Sequence, residues 1–368
     1  MPIPGVQPPR VAVVVGCYNQ VAYVEATLRS VAAQTYEDFE CVVLDDVSTD
    51  GSYQRIEEVL RSLEDHRFRA ILRPANGGQM ATMLAGLDAT SGPFVAFLDA
   101  DDLWHPEFLE RHVAAHMSER GSAALSCSNL ALIDAAGTQL SGGKPNFMDG
   151  DPRQPNRNFV LTEEALDDET RLFVAPRDVA GWIWSATSAM MFRRTVLDTL
   201  RPARPERIRI CADNYLAKGA HMLGGTVRIE RSLGCYRLHG ENAFSRNMLY
   251  GSRTSLGRTP RDIVKASHEE LIRCLCDNAE SLLTTLSWEY LGNLLIALAG
   301  REHALAVAKT NPHVKLMLSA LPSAPSASPT RPAALARPAS PPRPARPLKR
   351  VKRHLKALLK FPFDRIPR

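Results

Sequence analysis

The chain has no apolar stretch of the roughly 18 to 20 residues that a membrane-spanning helix needs. Its N-terminus, MPIPGVQPPR, has neither the charged start nor the apolar core of a signal peptide. Both absences lead to the expectation of a cytoplasmic protein. The seven cysteines, Cys17, Cys41, Cys127, Cys211, Cys235, Cys274 and Cys276, are scattered and odd in number, which predicts reduced thiols instead of a disulfide framework. Cys274 and Cys276 form a CxC within a helical pattern, and no second pair at zinc spacing accompanies it. The absence of GxGxxG after the first predicted strand counts against a dinucleotide fold, and the absence of GxxxxGK[ST] excludes a P-loop. No repeat period emerges.

What is present is a 368-residue chain, 45% hydrophobic, which is enough for a substantial core in one large domain or two modest ones. Short runs rich in Val, Ile and Phe alternate with helical patterns, as in βαβ units around a parallel sheet. Strands are predicted at Val11 to Gly16, from Phe39, at Phe68 to Arg73 and at Phe94 to Leu98. The first, second and fourth are apolar on both faces, as expected when helices cover both sides of a sheet. Ser48 or Asp50 is placed to cap the second helix. Further strands are expected at Ala123 to Ile133, Met190 to Arg194 and Thr226 to Leu238, with helices at His105 to Ser118, Asp213 to Leu223 and within His268 to Lys309. Gly142 to Asn158 reads as a long loop.

The charge is unevenly placed. Ten Lys or Arg and one Asp between Arg343 and Arg368 give that segment +9 of the overall +5, so residues 1–342 carry −4. Residues 321–347, rich in Pro, Ala, Ser and Arg, read as a linker with little prospect of a packed core. Residues 348–368 follow as a basic amphipathic tail with Leu348, Val351, Leu355, Leu358 and Leu359 on one helical face. Such a pattern suits an anionic membrane surface; nucleic-acid binding or a solvated tail are the alternatives.

Polar clusters fall where open α/β sheets bind ligands, beyond the carboxyl ends of strands. They are Gly16 to Asn19, Asp45-Asp46, Asn76-Gly77-Gly78, and Asp99, Asp101 and Asp102 in FVAFLDADDLWHPEFL. Three close carboxylates raise one another's pKa unless a cation lies among them. Hard oxygen ligands suit Mg2+ or Mn2+, typically shared with substrate phosphates, so a metal-bound diphosphate is expected. Capping of a helix beginning near Trp104 accounts for one of Asp99 and Asp102, but not for three carboxylates. Asp45-Asp46 reads equally as a turn and cap, or as acceptors for a base and ribose.

Taken together, VAVVVGCYNQVAYVEATLRSVAAQTYEDFECVVLDDVSTDGS and NGGQMATMLAGLDATSGPFVAFLDADD resemble the family 2 glycosyltransferases of the GT-A fold. The match is specific over Val11 to Leu109, weaker to about Asn247 and absent beyond. VGCYN lacks the usual proline, and DDV stands for the usual DDG. The resemblance implies an α/β, Rossmann-like nucleotide-diphospho-sugar transferase fold with a mixed central sheet. It implies a domain at 11–250, with a nucleotide-binding half at 11–109 and an acceptor half at 110–250, after an extension at 1–10 and before a helical appendix at 251–320.

For the site, the resemblance implies base contacts from Gly16, Tyr18 and Asp46, with Asp45 and Arg73 nearby. Asp99 would face the ribose and Asp101 the divalent metal, Mg2+ or Mn2+; Asp102 would share the metal or serve the cap. The family's catalytic Asp, in an Glu-Asp pair at a helix start, corresponds to Asp213 in CADNYL, where Ala212 replaces the Glu. Asp213 is either the acceptor's base or a helix cap. GCYRLHGENAFS matches the family's Y-R-x-H segment, making His239 a metal or diphosphate contact and Arg237 a phosphate contact. Trp182 or Trp184 would stack on a sugar or pack in the core.

The implied reaction is inverting transfer from a nucleotide-sugar donor, a UDP-sugar by family default, to a glycan or lipid-linked acceptor in cell-surface polysaccharide assembly, with no nucleic acid as partner. The tail would place it on the inner face of the cytoplasmic membrane. A nucleotidyltransferase would bring a Gly-rich basic loop after the first strand, which VGCYNQ lacks. A catalytically silent sugar-nucleotide-binding or membrane-adaptor protein is the alternative that Ala212 leaves open.

Overall fold

The computed structural model describes residues 7–118, 123–141, 162–165, 170–174, 184–240, 242, 245–248, 254–256, 261–308 and 311–321. The long loop predicted at 142–158, Gly181-Trp182, the linker beyond Leu321 and the basic tail lie outside them. All the described residues belong to one compact unit, Met1–Leu321.

The first half alternates as the sequence predicts: β1 (Val11–Cys17), α1 (Val24–Ala32), β2 (Phe39–Asp45), α2 (Ser52–Leu63), β3 (Phe68–Leu72), α3 (Gln79–Asp88) and β4 (Phe94–Asp99). A two-residue β5 (Leu103–Trp104) precedes α4 (Phe108–Met117), followed by β6 (Leu125–Asp134), β7 (Gln139–Ser141), β8 (Thr162–Ala165) and β9 (Thr170–Val174). Then come β10 (Met190–Arg193), α5 (Arg194–Thr199), α6 (Ala212–Gly224) and β11 (Thr226–Leu238). A small hairpin, β12 (Ser245–Met248) and β13 (Thr254–Leu256), leads to α7 (Arg261–Asp277), α8 (Ala279–Leu282), α9 (Trp288–Ala299), α10 (Arg301–Val307) and α11 (Pro312–Ala320).

The central sheet runs β3-β2-β1-β4-β10-β6-β11-β9-β8. β3, β2, β1 and β4 are parallel, whereas β10 inserts antiparallel between β4 and β6. The expected fold class is therefore the one found: an α/β fold with a mixed central sheet and a helical C-terminal region.

Alternation along the strands separates two apolar layers. Val11, Val13, Val15, Cys41, Val43, Ala96 and Leu98 face α1, α2 and α4, where Leu28, Ile56 and Phe108 are fully buried. Ala12, Val14, Val42, Leu44, Val95 and Phe97 face the other way, onto a layer containing Met80 of α3, Tyr215 of α6, Leu271 of α7 and Leu295 of α9. Each fully buried aliphatic side chain contributes roughly 1.5–3 kcal/mol, so strands apolar on both faces need both helical layers. The C-terminal helices share the second layer with the sheet. Among the described residues, no helix is long and apolar enough to cross a membrane.

One local expectation is corrected. The helix after the acidic cluster begins at Phe108, with Glu107 before it, so neither Asp99 nor Asp102 caps it. Residues 103–104 instead form β5, paired with Gly234 and Cys235 of β11. The N-cap residue of α2 is Gly51 in a left-handed conformation (φ 93°), without a side-chain cap, so neither Ser48 nor Asp50 fills that position, although Asp50 Oδ1 accepts the Ser52 N–H at 3.0 Å.

Candidate active site

The crevice lies at the carboxyl ends of β1, β2 and β4, and hydrogen bonds between loops shape its rim. Asn19 adopts a left-handed backbone (φ 55°) after β1 and accepts the Thr49 N–H at 2.9 Å. In return Ser48, Ser52 and Asp50 accept the N–H groups of Asn19, Gln20 and Val21 at 2.8, 2.8 and 3.0 Å. Gly16 lies in this stretch with its carbonyl accepting the Ala100 N–H at 3.1 Å, and Tyr18 stands 51% exposed at the rim.

Asp45 and Asp46 are both buried but do different things. Asp45 Oδ1 accepts the Ser48 N–H at 2.8 Å, while its Oδ2 is buried with no hydrogen-bond partner. Asp46 pairs with the Arg73 guanidinium and accepts the N–H groups of Gly77 and Gly78 at 3.0 and 2.7 Å. Asn76 Nδ2 adds a bond to the Asp46 carbonyl at 2.8 Å. The NGG segment is thus folded around Asp46. Gly78 has no substitute there, because its φ is +80° and an added Cβ would sit 2.5 Å from the Arg209 carbonyl oxygen. Val47 follows in a left-handed conformation (φ 66°), unfavourable for a β-branched residue and natural for the usual glycine of DDG.

The three carboxylates after β4 diverge. The Asp99 N–H donates to Ser188 Oγ at 3.2 Å, and burial, then Asp101, then Asp213 push its carboxyl up to about 8. Asp101 is directed to His239, whose Nε2 lies 3.0 Å from its Oδ2. Asp102 turns into the protein. Its Oδ2 accepts from Ser188 Oγ at 2.6 Å and its Oδ1 from the Arg237 N–H at 2.9 Å, and burial raises its carboxyl well above the usual range.

The other side of the site comes from far along the chain. Because β5 pairs with β11, Arg237 and His239 at the end of β11 reach the acidic cluster. The Arg237 side chain is committed to carbonyls: Nε donates to Asp101 O at 2.7 Å and Nη1 to Asp134 O and Ala135 O at 3.3 Å each. Its guanidinium also lies over the Tyr23 ring at 4.9 Å. Asp213 sits in the first turn of α6, where Oδ1 accepts the Asn214 N–H at 2.8 Å, and Thr187 helps to hold its pKa down. Burial nonetheless pushes Asp213 up to about 6. The sequence did not point to Gln79, Thr187 or Ser188. Gln79 could have been noticed as the first residue of the helix after NGG; the Thr187–Ala189 turn carries no signature. Trp184 is buried, with Nε1 donating to Thr226 Oγ1 at 3.0 Å, so it packs in the core.

Among the described residues, no group of three or more His, Cys, Asp or Glu side chains is placed to hold a metal. Mg2+ and its relatives are commonly held by one or two protein groups together with substrate phosphates, so a carboxylate and an imidazole at Asp101 and His239 fit such an ion. The partly satisfied acidic cluster also suits a cation.

The strand-end carboxylates of the first half of the sheet and the residues supplied by β11 and α6 thus make up one acidic site. Residues 12–156 match the model of glycosyl transferase family 2. The chain is 29% identical over 233 residues to an uncharacterized glycosyltransferase of Nostoc sp., covering 63% of this chain and 66% of that protein. It is 34% identical over 134 residues to TuaG of Bacillus subtilis, which is named as a teichuronic acid biosynthesis glycosyltransferase, covering 36% of this chain and 51% of that one. The chain thus spans between about half and two-thirds of these relatives. Among solved structures it is similar to S. aureus TarS 1–349 in complex with UDP-GlcNAc, at 17% identity, 84% and 87% coverage and a TM-score of 0.49.

Proposed function

We propose that the protein is an inverting glycosyltransferase that moves a sugar from a nucleotide-diphosphate donor, a UDP-sugar by default, to a hydroxyl of a glycan or lipid-linked acceptor in cell-surface polysaccharide assembly. The observation that carries this reading is the seating of the first turn of α6, which holds Asp213, against the nucleotide half: the Ala212 N–H donates to Gln79 Oε1 at 2.9 Å, next to the Gly77 and Gly78 N–H groups that bind Asp46. Asp45, Asp46, Gly16, Tyr18 and Arg73 border the nucleotide end, and Asp99 stands next to the ribose. Asp101 and His239 would hold Mg2+ or Mn2+, with Asp102 and Arg237 fixing that segment from behind. When bound, the ion neutralises the charge of the departing nucleoside diphosphate. Asp213 takes the proton of the attacking hydroxyl, and its carboxyl, pushed up to about 6, is matched to base work near neutral pH. Direct attack from the face opposite the leaving group inverts the anomeric carbon.

The test is nucleoside diphosphate release from a panel of UDP- and GDP-sugars with Mn2+, in the unaltered protein and in Asp101→Ala and Asp213→Asn. Activity surviving both substitutions refutes the roles. Binding without turnover in the unaltered protein favours a silent nucleotide-sugar-binding protein, consistent with Ala212.

We further infer that the basic tail tethers the enzyme to anionic membrane, each Lys or Arg near the surface contributing about 1 kcal/mol. Deleting residues 343–368 should shift the protein from the membrane to the soluble fraction; unchanged partitioning refutes the tether.

A further inference from the structure

The N-terminus of α6, which presents Asp213, begins without a side-chain cap: Cys211 precedes it in a left-handed conformation (φ 59°). The first N–H groups of a helix have no partner within it and must find one elsewhere. Here the Ala212 N–H donates to Gln79 Oε1 at 2.9 Å. The Gln79 side chain also lowers the pKa of Asp99, against the upward push of burial. Two further bonds run between the same segments, Gln79 N–H to Arg209 O at 2.8 Å and the Arg209 guanidinium to the Asn76 side chain. The close fit of Gly78 against the Arg209 backbone leaves no room for a side chain between them. On its other side this loop is fixed by Gly77 and Gly78 donating to Asp46.

We propose that Gln79 is a positioning residue: by accepting the Ala212 N–H it ties the start of α3 to the first turn of α6, and so sets where Asp213 stands relative to the donor. The proposal rests on the reading of Asp213 as the acceptor's base. Its physical content is placement: Gln79 joins the NGG loop, held by Asp46, to the backbone next to the base. A displacement of about 1 Å at a reacting group can cost about 100-fold in rate. The residue also explains how α6 is seated where the family's Glu is replaced by the fully buried Ala212.

The experiment compares Gln79→Leu, which keeps the volume and removes the hydrogen bond to the Ala212 N–H, with Asp213→Asn and the double variant. Nucleoside diphosphate release is measured from UDP-glucose, UDP-galactose and UDP-GlcNAc with Mn2+, and amide hydrogen exchange is followed in the ligand-free protein. Gln79→Leu is expected to lower kcat about tenfold or more with donor KM within about twofold and the melting temperature held, and to add nothing to the loss in Asp213→Asn. Exchange should accelerate in the peptide holding Ala212 to Tyr215 and stay unchanged in β1 and β4. Turnover in Asp213→Asn would sink the base reading, whereas unaltered exchange at α6, or a raised donor KM with unchanged kcat, overturns the role of Gln79. The exchange arm decides the proposal even if none of the three donors turns over.

Discussion

His239 Nε2 and Asp101 Oδ2 lie 3.0 Å apart although 138 positions separate them in the chain. The His239 side chain is only 2% exposed and its ring packs at 4.9 Å from Tyr23, so the imidazole is held in place next to the carboxylate. If the pair serves a divalent ion, His239→Ala should raise the Mn2+ concentration for half-maximal activity by about 10-fold or more. A titration identical to that of the unaltered protein would remove His239 from the metal site.

Asp213 makes opposite demands on activity and stability. Its carboxyl ionises near 3.8 in an unfolded chain but is pushed up to about 6 here by burial. Between those values the folded state binds more protons, so this residue's contribution to stability falls as pH rises through the window and the cost is fully present above it. Asp213→Asn should therefore stabilise the protein by about 1–3 kcal/mol at pH 7, measured by urea unfolding, while lowering turnover by about 100-fold or more. In the unaltered protein, turnover should decline as pH drops below about 6. A less stable Asp213→Asn would contradict the burial cost.

Val47 occupies a left-handed backbone position at 36% exposure, so replacing it loses little buried surface. Left-handed backbone costs an L-residue roughly 1–2 kcal/mol, and glycine's extra unfolded-state freedom returns about 0.5–1 of that. Val47→Gly should gain about 0.5–1 kcal/mol in urea unfolding, and Val47→Ala clearly less. Equal stability of the glycine and valine forms would mean that the turn is unstrained.

Two buried histidines on α4 should make the protein acid-labile. His112 Nδ1 bonds Ser126 Oγ at 2.7 Å and His116 Nε2 bonds Met191 O at 3.2 Å. Burial holds His112 well below its usual pKa and His116 down at about 4, with Arg193 also opposing charge on His116. The unfolded state takes up protons first, so this stability is present above about 6.5 and is lost as pH falls towards 4. His116→Phe should flatten that decline in thermal unfolding between pH 6.5 and 4; an unchanged slope would show that His116 is not its source.

By itself the sequence determined the parallel half of the sheet and the places where its polar ends fall. Val11 to Leu98 are read from local periodicity, which a strand covered on both faces enforces residue by residue. The same locality made Asp45-Asp46 and Asp99 to Asp102 visible as strand-end clusters. Only the tertiary structure decided how those carboxylates divide. Asp102 turns inward because β5 pairs with β11 and presents it to Ser188 and the Arg237 backbone; Asp101 meets His239 by the same pairing. Gln79 and Ser188 were invisible for a related reason: their roles depend on contacts across 133 and 86 positions, to Ala212 and Asp102. Hydrogen bonds of that range leave no period or spacing in a sequence, because what brings the partners together is the order of strands in the sheet.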